Sequence, residues 1–341
     1  MLNTVYQLTA PRRFEMLVRD ESIDEGTLLV RPTHLSICNA DQRYYQGTRG
    51  AAIMAEKLPM ALIHESIGEV VLDNTGTYAP GDTVVMIPNL PCESHEVIAE
   101  NYLRTSKFRA SSADGFMQEL VCTVPDRVVA LPEGIDKDVA AFTELVSVAT
   151  HTISRYDAFA HADRSSVGVW GDGNVGFITA LLIKKRFPRT AVYVFGRNED
   201  KLADFTFVDG TYLTNAIPAD LIVAHAFECV GGLGSQSAID QAIDHIQPEG
   251  CIALMGVSEN AVPINTRMVL EKGLRVFGSS RSGRIDFQET LDLYRAQPSV
   301  PAYLERIVGQ VFDVRSIADA TAAFEGDIQK RLGKTVMRWH I

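Results

Sequence analysis

The sequence has no long hydrophobic run. None of its 341 residues belongs to a stretch approaching the ~18 consecutive apolar residues that a membrane-spanning helix requires. Residues 1–13 also lack the uninterrupted apolar core of a signal peptide. Cysteine is scarce: there are five, an odd number, with no CxxC pair. A disulfide framework is therefore not indicated, and a reducing, cytoplasmic compartment is favoured, in which one thiolate can serve as a metal ligand.

Basic residues are fewer than acidic ones. Lys and Arg total 32 against 43 Asp and Glu, a formal net charge of −11. A global attraction to nucleic acid or to an anionic membrane is disfavoured, so any anionic ligand must be held by a local basic cluster. With 46% hydrophobic and 22% charged residues, the composition is that of a globular protein, and the length suggests two domains.

The rhythm of apolar segments changes near residue 140. Before it, short apolar runs broken by turn residues predict strands of a barrel-like domain at 28–30, 68–72, 83–87 and 127–131. After it, strand candidates at 167–170, 192–195, 225–229 and 251–255 alternate with amphipathic stretches, the βαβ pattern of a parallel doubly wound sheet. A helix-like stretch at 287–296 and a strand-like end at 334–339 are expected to rejoin the first domain. The predicted fold class is α/β, with a barrel-like domain at 1–140 completed by 286–341 and a doubly wound parallel-sheet domain at 141–285.

A glycine-rich segment follows one of these strand candidates. Residues 166–170 run directly into 171–176 (Gly-Asp-Gly-Asn-Val-Gly), which opens a helix-like stretch. A GxGxxG pattern between strand and helix is typical of dinucleotide folds. Gly171 permits the tight turn, Gly173 the close approach of a pyrophosphate, and Gly176 the close packing of helix and strand. The alternative is an ordinary glycine-rich strand-to-helix turn.

The end of the next strand indicates which nucleotide binds. An NAD site places Asp or Glu at the strand tip, ~20 residues beyond the glycines, but residues 195–201 read Phe-Gly-Arg-Asn-Glu-Asp-Lys. Arg197 and Lys201 suit a 2′-phosphate, and NADPH is favoured. The alternative is that Arg197 and Lys201 are solvated cations and that Glu199 accepts a hydrogen bond from the ribose hydroxyl. The candidate cofactor-binding residues are Gly171, Gly173, Asn174, Val175, Gly176, Arg197 and Lys201.

Four scattered side chains form a donor set that suits Zn²⁺: Cys38, His64, Glu65 and Glu144. Spacing alone does not establish a metal site, because about a hundred residues separate the first from the last. Taken singly, Cys38 reads as a small core residue, His64 as a buried hydrogen-bonded imidazole, and Glu144 as a charge at a helix N-terminus.

Local sequence around these positions resembles the zinc-containing medium-chain dehydrogenases/reductases. Residues 36–41 (Ser-Ile-Cys-Asn-Ala-Asp) match the family's cysteine-ligand segment, and 63–65 (Ile-His-Glu) its Gly-His-Glu motif. Residues 142–151 match the segment that carries a further glutamate in the polyol dehydrogenase branch. The resemblance covers nearly the whole chain. It implies a GroES-like barrel domain, a Rossmann domain, and Cys38, His64, Glu65 and Glu144 as catalytic metal ligands.

Three positions depart from the family pattern. Ile63 replaces the motif glycine, Leu145 a proline, and Ala40 the Ser or Thr that starts a proton relay. The four-cysteine lobe of a second, structural zinc is also absent, since only Cys92 lies between residues 88 and 118. We therefore expect one zinc per chain.

Within that family, the resemblance is strongest to the branch that reduces a ketose phosphate. It rests on four continuous segments: 35–45, 57–65, 225–232 and 278–283. The resemblance implies NADPH-dependent reduction of the C2 ketone of D-ribulose 5-phosphate to D-ribitol 5-phosphate, which supplies CDP-ribitol for wall teichoic acid or capsule polymers. A ribitol-5-phosphate cytidylyltransferase is then the expected functional partner, and a homo-oligomer the expected state. Two alternatives stay open: a polyol dehydrogenase acting on an unphosphorylated sugar alcohol, and a non-catalytic NADPH-binding protein.

A sugar phosphate needs local cations in so acidic a protein. The basic candidates are Arg43, Arg104, Lys107, Arg109 and Arg281. Arg281 is the first choice, because small residues flank it after the strand that is expected to end near the nicotinamide. Tyr44 is a candidate to cover the sugar.

Overall fold

The strands and helices of the computed structural model, which describes residues 1–330 and 333–341, fall into two units. The strands are β1 (Leu2–Ala10), β2 (Arg13–Asp20), β3 (Leu28–Ile37), β4 (Met60–Ala61), β5 (Glu65–Asp73), β6 (Thr83–Met86), β7 (Asn89–Leu90), β8 (Lys107–Phe108), β9 (Val121–Thr123), β10 (Val128–Ala130), β11 (Ser166–Trp170), β12 (Ala191–Gly196), β13 (Gly210–Leu213), β14 (His225–Glu228), β15 (Cys251–Leu254), β16 (Arg275–Gly278), β17 (Val308–Val314) and β18 (Lys334–Trp339). The α-helices are α1 (Asn39–Tyr45), α2 (Ala51–Lys57), α3 (Lys137–Ala140), α4 (Thr143–Phe159), α5 (Asn174–Arg186), α6 (Glu199–Leu202), α7 (Ser235–His245), α8 (Thr266–Glu271), α9 (Arg284–Ala296), α10 (Ser299–Leu304) and α11 (Ile317–Gln329). None of the helices in these ranges has the length and apolarity that a membrane crossing needs.

The first unit, residues 1–147 and 282–341, is built on a seven-stranded mixed sheet. Its strand order is β10-β6-β5-β3-β18-β17, with β9 pairing β3, and a three-stranded sheet β2-β1-β4 accompanies it. The apolar faces of both sheets enclose one core, in which Tyr45, Phe116, Phe324 and Trp339 are nearly inaccessible to solvent. Burial of such large apolar side chains is the main stabilising contribution to this unit.

The central strands of this sheet bring distant segments of the chain to one place. Ser36, near the end of β3, lies opposite Glu65 at the start of β5, and Ile37 lies opposite Thr335 near the start of β18. β18 pairs β3 antiparallel and β17 parallel, so the C-terminal segment completes the sheet of the first unit. Three strand ends therefore meet beside Cys38, the residue that follows β3.

The second unit, residues 148–281, contains a six-stranded parallel sheet. Its order, β13-β12-β11-β14-β15-β16, runs outwards in both directions from β11, which is the doubly wound arrangement. The central strands β11 and β14 are buried on both faces, and Trp170 stacks on Phe195 with ring centroids 4.2 Å apart. Such a sheet places the turn after β11 at the switch point, where nucleotide ligands bind in folds of this class.

The chain passes from one unit to the other at 147/148 and 281/282, whereas the sequence suggested boundaries at 140 and 285. The first crossing lies inside α4, a continuous helix of 17 residues. A helix that continues through a boundary carries no turn residues or change in composition to mark it. The first crossing therefore lies after the suggested boundary, and the second lies before it.

Candidate active site

Cys38, His64 and Glu65 form a compact cluster in the first unit. One ligand atom from each, a thiol sulfur, an imidazole nitrogen and a carboxylate oxygen, lies within 4.8 Å of the others. His64 is 7% exposed and Glu65 is inaccessible. Sulfur, nitrogen and oxygen donors converging at this spacing suit a tetrahedral Zn²⁺ that retains an open position.

Asp41 holds two segments of this cluster in place. Its Oδ2 accepts a hydrogen bond from the Cys38 N–H at 3.1 Å, and its Oδ1 accepts one from the Ile63 N–H at 3.0 Å. Oδ1 also lies 3.4 Å from Nδ1 of His64. Burial alone would lower the pKa of His64, but the charge and hydrogen bonding of Asp41, with a contribution from Cys38, raise it well above its usual value. Asp41 thus links the Cys38 and His64 segments through its two carboxylate oxygens.

Lys334 lies on the other side of Glu65. Its Nζ is 2.8 Å from each Glu65 carboxylate oxygen, donates to Oε1, and donates to the Ile37 carbonyl at 2.9 Å. Both side chains are buried, at 3% and 0% exposure. Oε2, although close to the ammonium group, has no hydrogen-bond partner. A buried carboxylate oxygen with an unused lone pair is the observation that fits a metal ligand at this position.

Glu144 lies in the first turn of α4 and is 4% exposed, but it is not one of the three residues within the 4.8 Å cluster. Burial, together with the nearby Glu65 carboxylate and opposed by His64, raises the pKa of Glu144 to about 7. It is thus electrostatically coupled to the cluster. Its role as a further ligand stays a prediction.

In this chain, the segment that carries a second zinc in related enzymes is held by an ion pair and a backbone hydrogen bond. Glu100 accepts hydrogen bonds from the Arg127 guanidinium at 2.9 Å and from the Arg284 N–H at 3.0 Å. Cys92, in the same segment, is exposed. Across residues 1–330 and 333–341, the Cys38 cluster is the only group of three or more metal-ligating side chains.

The predicted substrate-binding residues differ in what they contact. Arg109 is 8% exposed and donates to the carbonyls of Asp114 and Cys122, and burial lowers its pKa to about 10. Tyr44 is 2% exposed, with the Arg49 guanidinium 4.3 Å from its ring. These two side chains are therefore used within the fold.

The remaining basic candidates are more accessible. Lys107 and Arg104 are exposed, and Arg43 and Arg281 are half-buried. Arg281 has a left-handed backbone, with φ +60°. A non-glycine residue in that region is uncommon and is found at functional sites more often than elsewhere.

In the second unit, the glycine-rich loop has the backbone that a phosphate cradle requires. Gly171 adopts φ +135°, and a Cβ at Gly176 would lie 1.9 Å from the Gly171 carbonyl oxygen. Space around the Gly173 Cα is open, and α5 begins there without a side-chain cap. A helix of 13 residues that begins at such a loop directs its N-terminal end, with its partial positive charge, towards a bound anion.

Arg197 immediately follows β12. Its side chain is exposed and forms no ion pair or hydrogen bond within the described part of the chain, and the same is true of the half-buried Lys201 side chain. Two cations without partners, one turn apart, favour an anionic group at this strand tip. Glu199 is also exposed at this strand tip, where the alternative of a ribose hydroxyl places its hydrogen-bond acceptor.

Comparison with known proteins identifies the family. The model described as the alcohol dehydrogenase GroES-like domain matches residues 24–133, and that described as the glucose dehydrogenase C-terminus matches 137–333. The chain belongs to the zinc-dependent medium-chain dehydrogenase/reductase family. Membership confirms the expected fold class: a GroES-like domain and a parallel-sheet Rossmann domain.

Several members of the family are similar to this chain over its full length. The chain is 55% identical to a ribulose-5-phosphate reductase of Bacillus spizizenii, over 100% of both chains. It is 45% identical to a ribulose-5-phosphate reductase of Streptococcus pneumoniae, covering 100% of this chain and 98% of the other. The crystal structure of Staphylococcus aureus TarJ in complex with NADPH superposes with a TM-score of 0.90 at 47% identity, covering all of both chains.

Two residues that the sequence did not single out, Asp41 and Lys334, are part of this site. Asp41 stood within a matched segment, three residues after the cysteine, a spacing that allows it to cap α1. Lys334 follows Glu65 by 269 residues, and no local signal links them.

Proposed function

We propose that this chain reduces D-ribulose 5-phosphate to D-ribitol 5-phosphate with NADPH and one zinc ion. The observation that carries the proposal is the buried Cys38–His64–Glu65 cluster, in a chain that matches ribulose-5-phosphate reductases from end to end. The NADPH complex of a 47% identical structure supports the choice of cofactor. A non-catalytic role has no use for a buried, convergent set of metal donors.

Cys38, His64 and Glu65 would hold the zinc, with Glu144 as the further ligand. When bound, zinc supplies Lewis acidity at the ketone oxygen and NADPH supplies the hydride that C2 accepts. Asp41 fixes the orientation of the His64 ring, and Lys334 fixes the Glu65 carboxylate, so both ligands are set before the metal arrives. Ala40 has no hydroxyl, so the proton that completes the alcohol reaches the oxygen through water or a substrate hydroxyl.

The cofactor residues follow from the glycine loop and the β12 tip. The uncapped start of α5 would receive the pyrophosphate, lined by Gly171, Gly173, Asn174, Val175 and Gly176. Arg197 and Lys201, both without partners, would receive the 2′-phosphate that distinguishes NADPH from NADH.

We place the substrate phosphate at Arg281, with Arg43 and Lys107 as further cations. The left-handed backbone of Arg281 and its half-buried side chain support this choice. Tyr44 and Arg109, which are packed within the fold, would act by shaping the walls of the site.

The decisive experiment follows NADPH oxidation with three substrates: ribulose 5-phosphate, xylulose 5-phosphate and free ribulose. We expect turnover with the first and far less with the others, NADH being a poor replacement for NADPH. Relatives at 24–27% identity include sorbitol dehydrogenase and D-xylulose reductases, so equal or faster reduction of free ribulose would favour a polyol dehydrogenase instead.

Two cysteine variants test whether turnover depends on the metal ion. Cys38→Ser should lose both zinc and turnover, whereas Cys92→Ser, at an exposed position outside the cluster, should keep both. Turnover that survives removal of zinc and the Cys38→Ser change would contradict the metal-assisted mechanism.

The product is a sugar-alcohol phosphate, the kind of substrate that a cytidylyltransferase activates. We propose that a ribitol-5-phosphate cytidylyltransferase consumes it in the cytoplasm to supply CDP-ribitol for wall teichoic acid or capsule polymer, and that the reductase works as a homo-oligomer. A coupled assay with CTP and size measurement in solution test these points.

A further inference from the structure

The second residue of the glycine-rich loop, Asp172, contacts the turn that carries Arg197. Its Oδ2 accepts hydrogen bonds from the backbone N–H of Arg197 at 2.7 Å and of Asn198 at 2.9 Å. Both N–H groups come directly after β12, whose ladder with β13 ends at Gly196. A carboxylate acceptor makes charge-assisted bonds, which are shorter and stronger than bonds between neutral groups. Two backbone donors that would otherwise face solvent are thus fixed to the phosphate loop.

Two further features join the same loop and turn. The Gly171 N–H donates to the Phe195 carbonyl at 2.8 Å. At Gly196, an added Cβ would lie 2.6 Å from the Asp172 Cβ and 2.8 Å from its Oδ2. Only glycine at 196 leaves room for the carboxylate, so the strand tip is built to receive it.

This contact fixes the backbone of Arg197 while leaving its side chain free. The guanidinium is exposed and has no partner among the described residues. The same carboxylate, however, brings a negative charge close to the place where a 2′-phosphate is expected. Asp172 can therefore favour NADPH by positioning Arg197, or disfavour it by repulsion, and these two effects predict opposite results.

We infer that Asp172 is a specificity-determining positioning residue, which couples the pyrophosphate loop to the Arg197 turn and so sets the preference for NADPH over NADH. The two N–H groups that donate to Asp172 partly neutralise its carboxylate charge, which limits the repulsion between Asp172 and a phosphate. The inference rests on the proposed function, in which Arg197 contacts the 2′-phosphate.

The test measures equilibrium binding of NADPH and of NADH to the full chain without substrate. Nicotinamide fluorescence is the readout. Asp172→Ala should raise the Kd for NADPH about ten-fold more than that for NADH, through loss of the charge-assisted bonds. Asp172→Asn keeps an oxygen acceptor, so its preference for NADPH over NADH should fall several-fold less than that of Asp172→Ala. In an Arg197→Ala background, Asp172→Ala should leave the remaining NADPH/NADH ratio unchanged.

Asp209→Ala is the matched control. Asp209 also accepts a backbone N–H, from Val192 at 2.7 Å, and pairs with Lys184 at 2.9 Å, but it does so at the opposite end of β12. This variant should keep the wild-type ratio of the two Kd values. If Asp172→Ala does not fold, the ratio measured with Asp172→Asn carries the test.

An unchanged NADPH preference in Asp172→Ala, or tighter NADPH binding in both Asp172 variants, would overturn the inference. Arg197→Ala separates this failure from failure of the proposed function. If Arg197→Ala reduces the NADPH preference and Asp172→Ala does not, only the role of Asp172 is wrong. If Arg197→Ala leaves the preference intact, the assignment of the 2′-phosphate to Arg197 fails, and the role of Asp172 fails with it.

Discussion

Replacing Lys334 with methionine removes the positive partner of a fully buried carboxylate. Methionine fills a similar volume, so the main effect is that Glu65 loses the ammonium group 2.8 Å from its oxygens. Breaking a buried ion pair from one side costs about 3–5 kcal/mol, because the remaining charge stays desolvated and unpaired. We expect a loss of this size in the free energy of unfolding of the metal-free protein.

Zinc changes the expected size of this effect. A metal bound by Glu65 supplies a second positive charge to the same carboxylate, so the zinc-loaded variant should lose clearly less stability than the metal-free one. By linkage, zinc then stabilises the variant more than it stabilises the wild type.

The two tryptophans allow the free energy of unfolding to be measured for the first unit alone. Trp339 lies in the core of that unit and Trp170 in the other, so a Trp170→Phe background reports unfolding through Trp339 fluorescence. Denaturant unfolding is measured with and without zinc. Lys137→Met is the control, since its pair with Glu69 is almost half exposed and should contribute at most ~1 kcal/mol. Equal losses in the metal-free and zinc-loaded variants would refute the reasoning.

Three other results are expected. Metal analysis should find one zinc per chain, and two tightly bound zincs would contradict the single cluster seen among the described residues. Arg281→Ala should lower kcat/KM for ribulose 5-phosphate by roughly a hundred-fold with little change for free ribulose, whereas equal losses on both substrates would place the phosphate elsewhere. Burial lowers the pKa of His225 from 6.5 to about 4, so the unfolded chain binds the extra proton between these values and stability should fall as pH drops through that window. In unfolding curves at several pH values, His225→Gln should flatten this dependence, and an unaltered slope would show that another group is responsible.

The hydrogen bonding of the two ring nitrogens also favours the neutral form of the buried His225 ring. Nε2 lies 2.7 Å from the Asp163 carbonyl, and Nδ1 accepts the Cys251 N–H at 3.1 Å. One nitrogen must donate and the other accept, which only the neutral ring can do. A second proton would place two N–H groups against each other.

Local features of this protein could be predicted from the sequence because their signals are local. The strand candidate at 334–339 coincides with β18, and those at 167–170 and 192–195 fall within β11 and β12. The glycine loop was found from its own spacing. The proposed metal ligands, which are spread from Cys38 to Glu144, are indicated only by the family resemblance, since no periodicity connects them.

Contacts set by sheet register could not be predicted in this way. Lys334 reaches Glu65 because β18 enters the sheet beside β3 with Thr335 opposite Ile37, and a shift of one residue would turn its side chain to the other face. Arg109 illustrates the converse: its charge suggested an anion site, but its guanidinium donates to two backbone carbonyls inside the fold. The sequence gives the charge of such a residue, but only the fold determines whether its side chain is buried.

The substitution of isoleucine for the motif glycine at position 63 can be understood only in three dimensions. Ile63 has φ +71°, a left-handed conformation that costs a β-branched residue roughly 1–2 kcal/mol. Its N–H donates to Asp41 and its carbonyl accepts from the Phe116 N–H at 2.7 Å, so hydrogen bonds on both sides fix this conformation. The side chain is completely buried in the core, a gain of about 1.5–3 kcal/mol that offsets the strain. The chain thus keeps the backbone turn that presents His64 while using the position for packing, which is why loss of the glycine does not imply loss of the metal site.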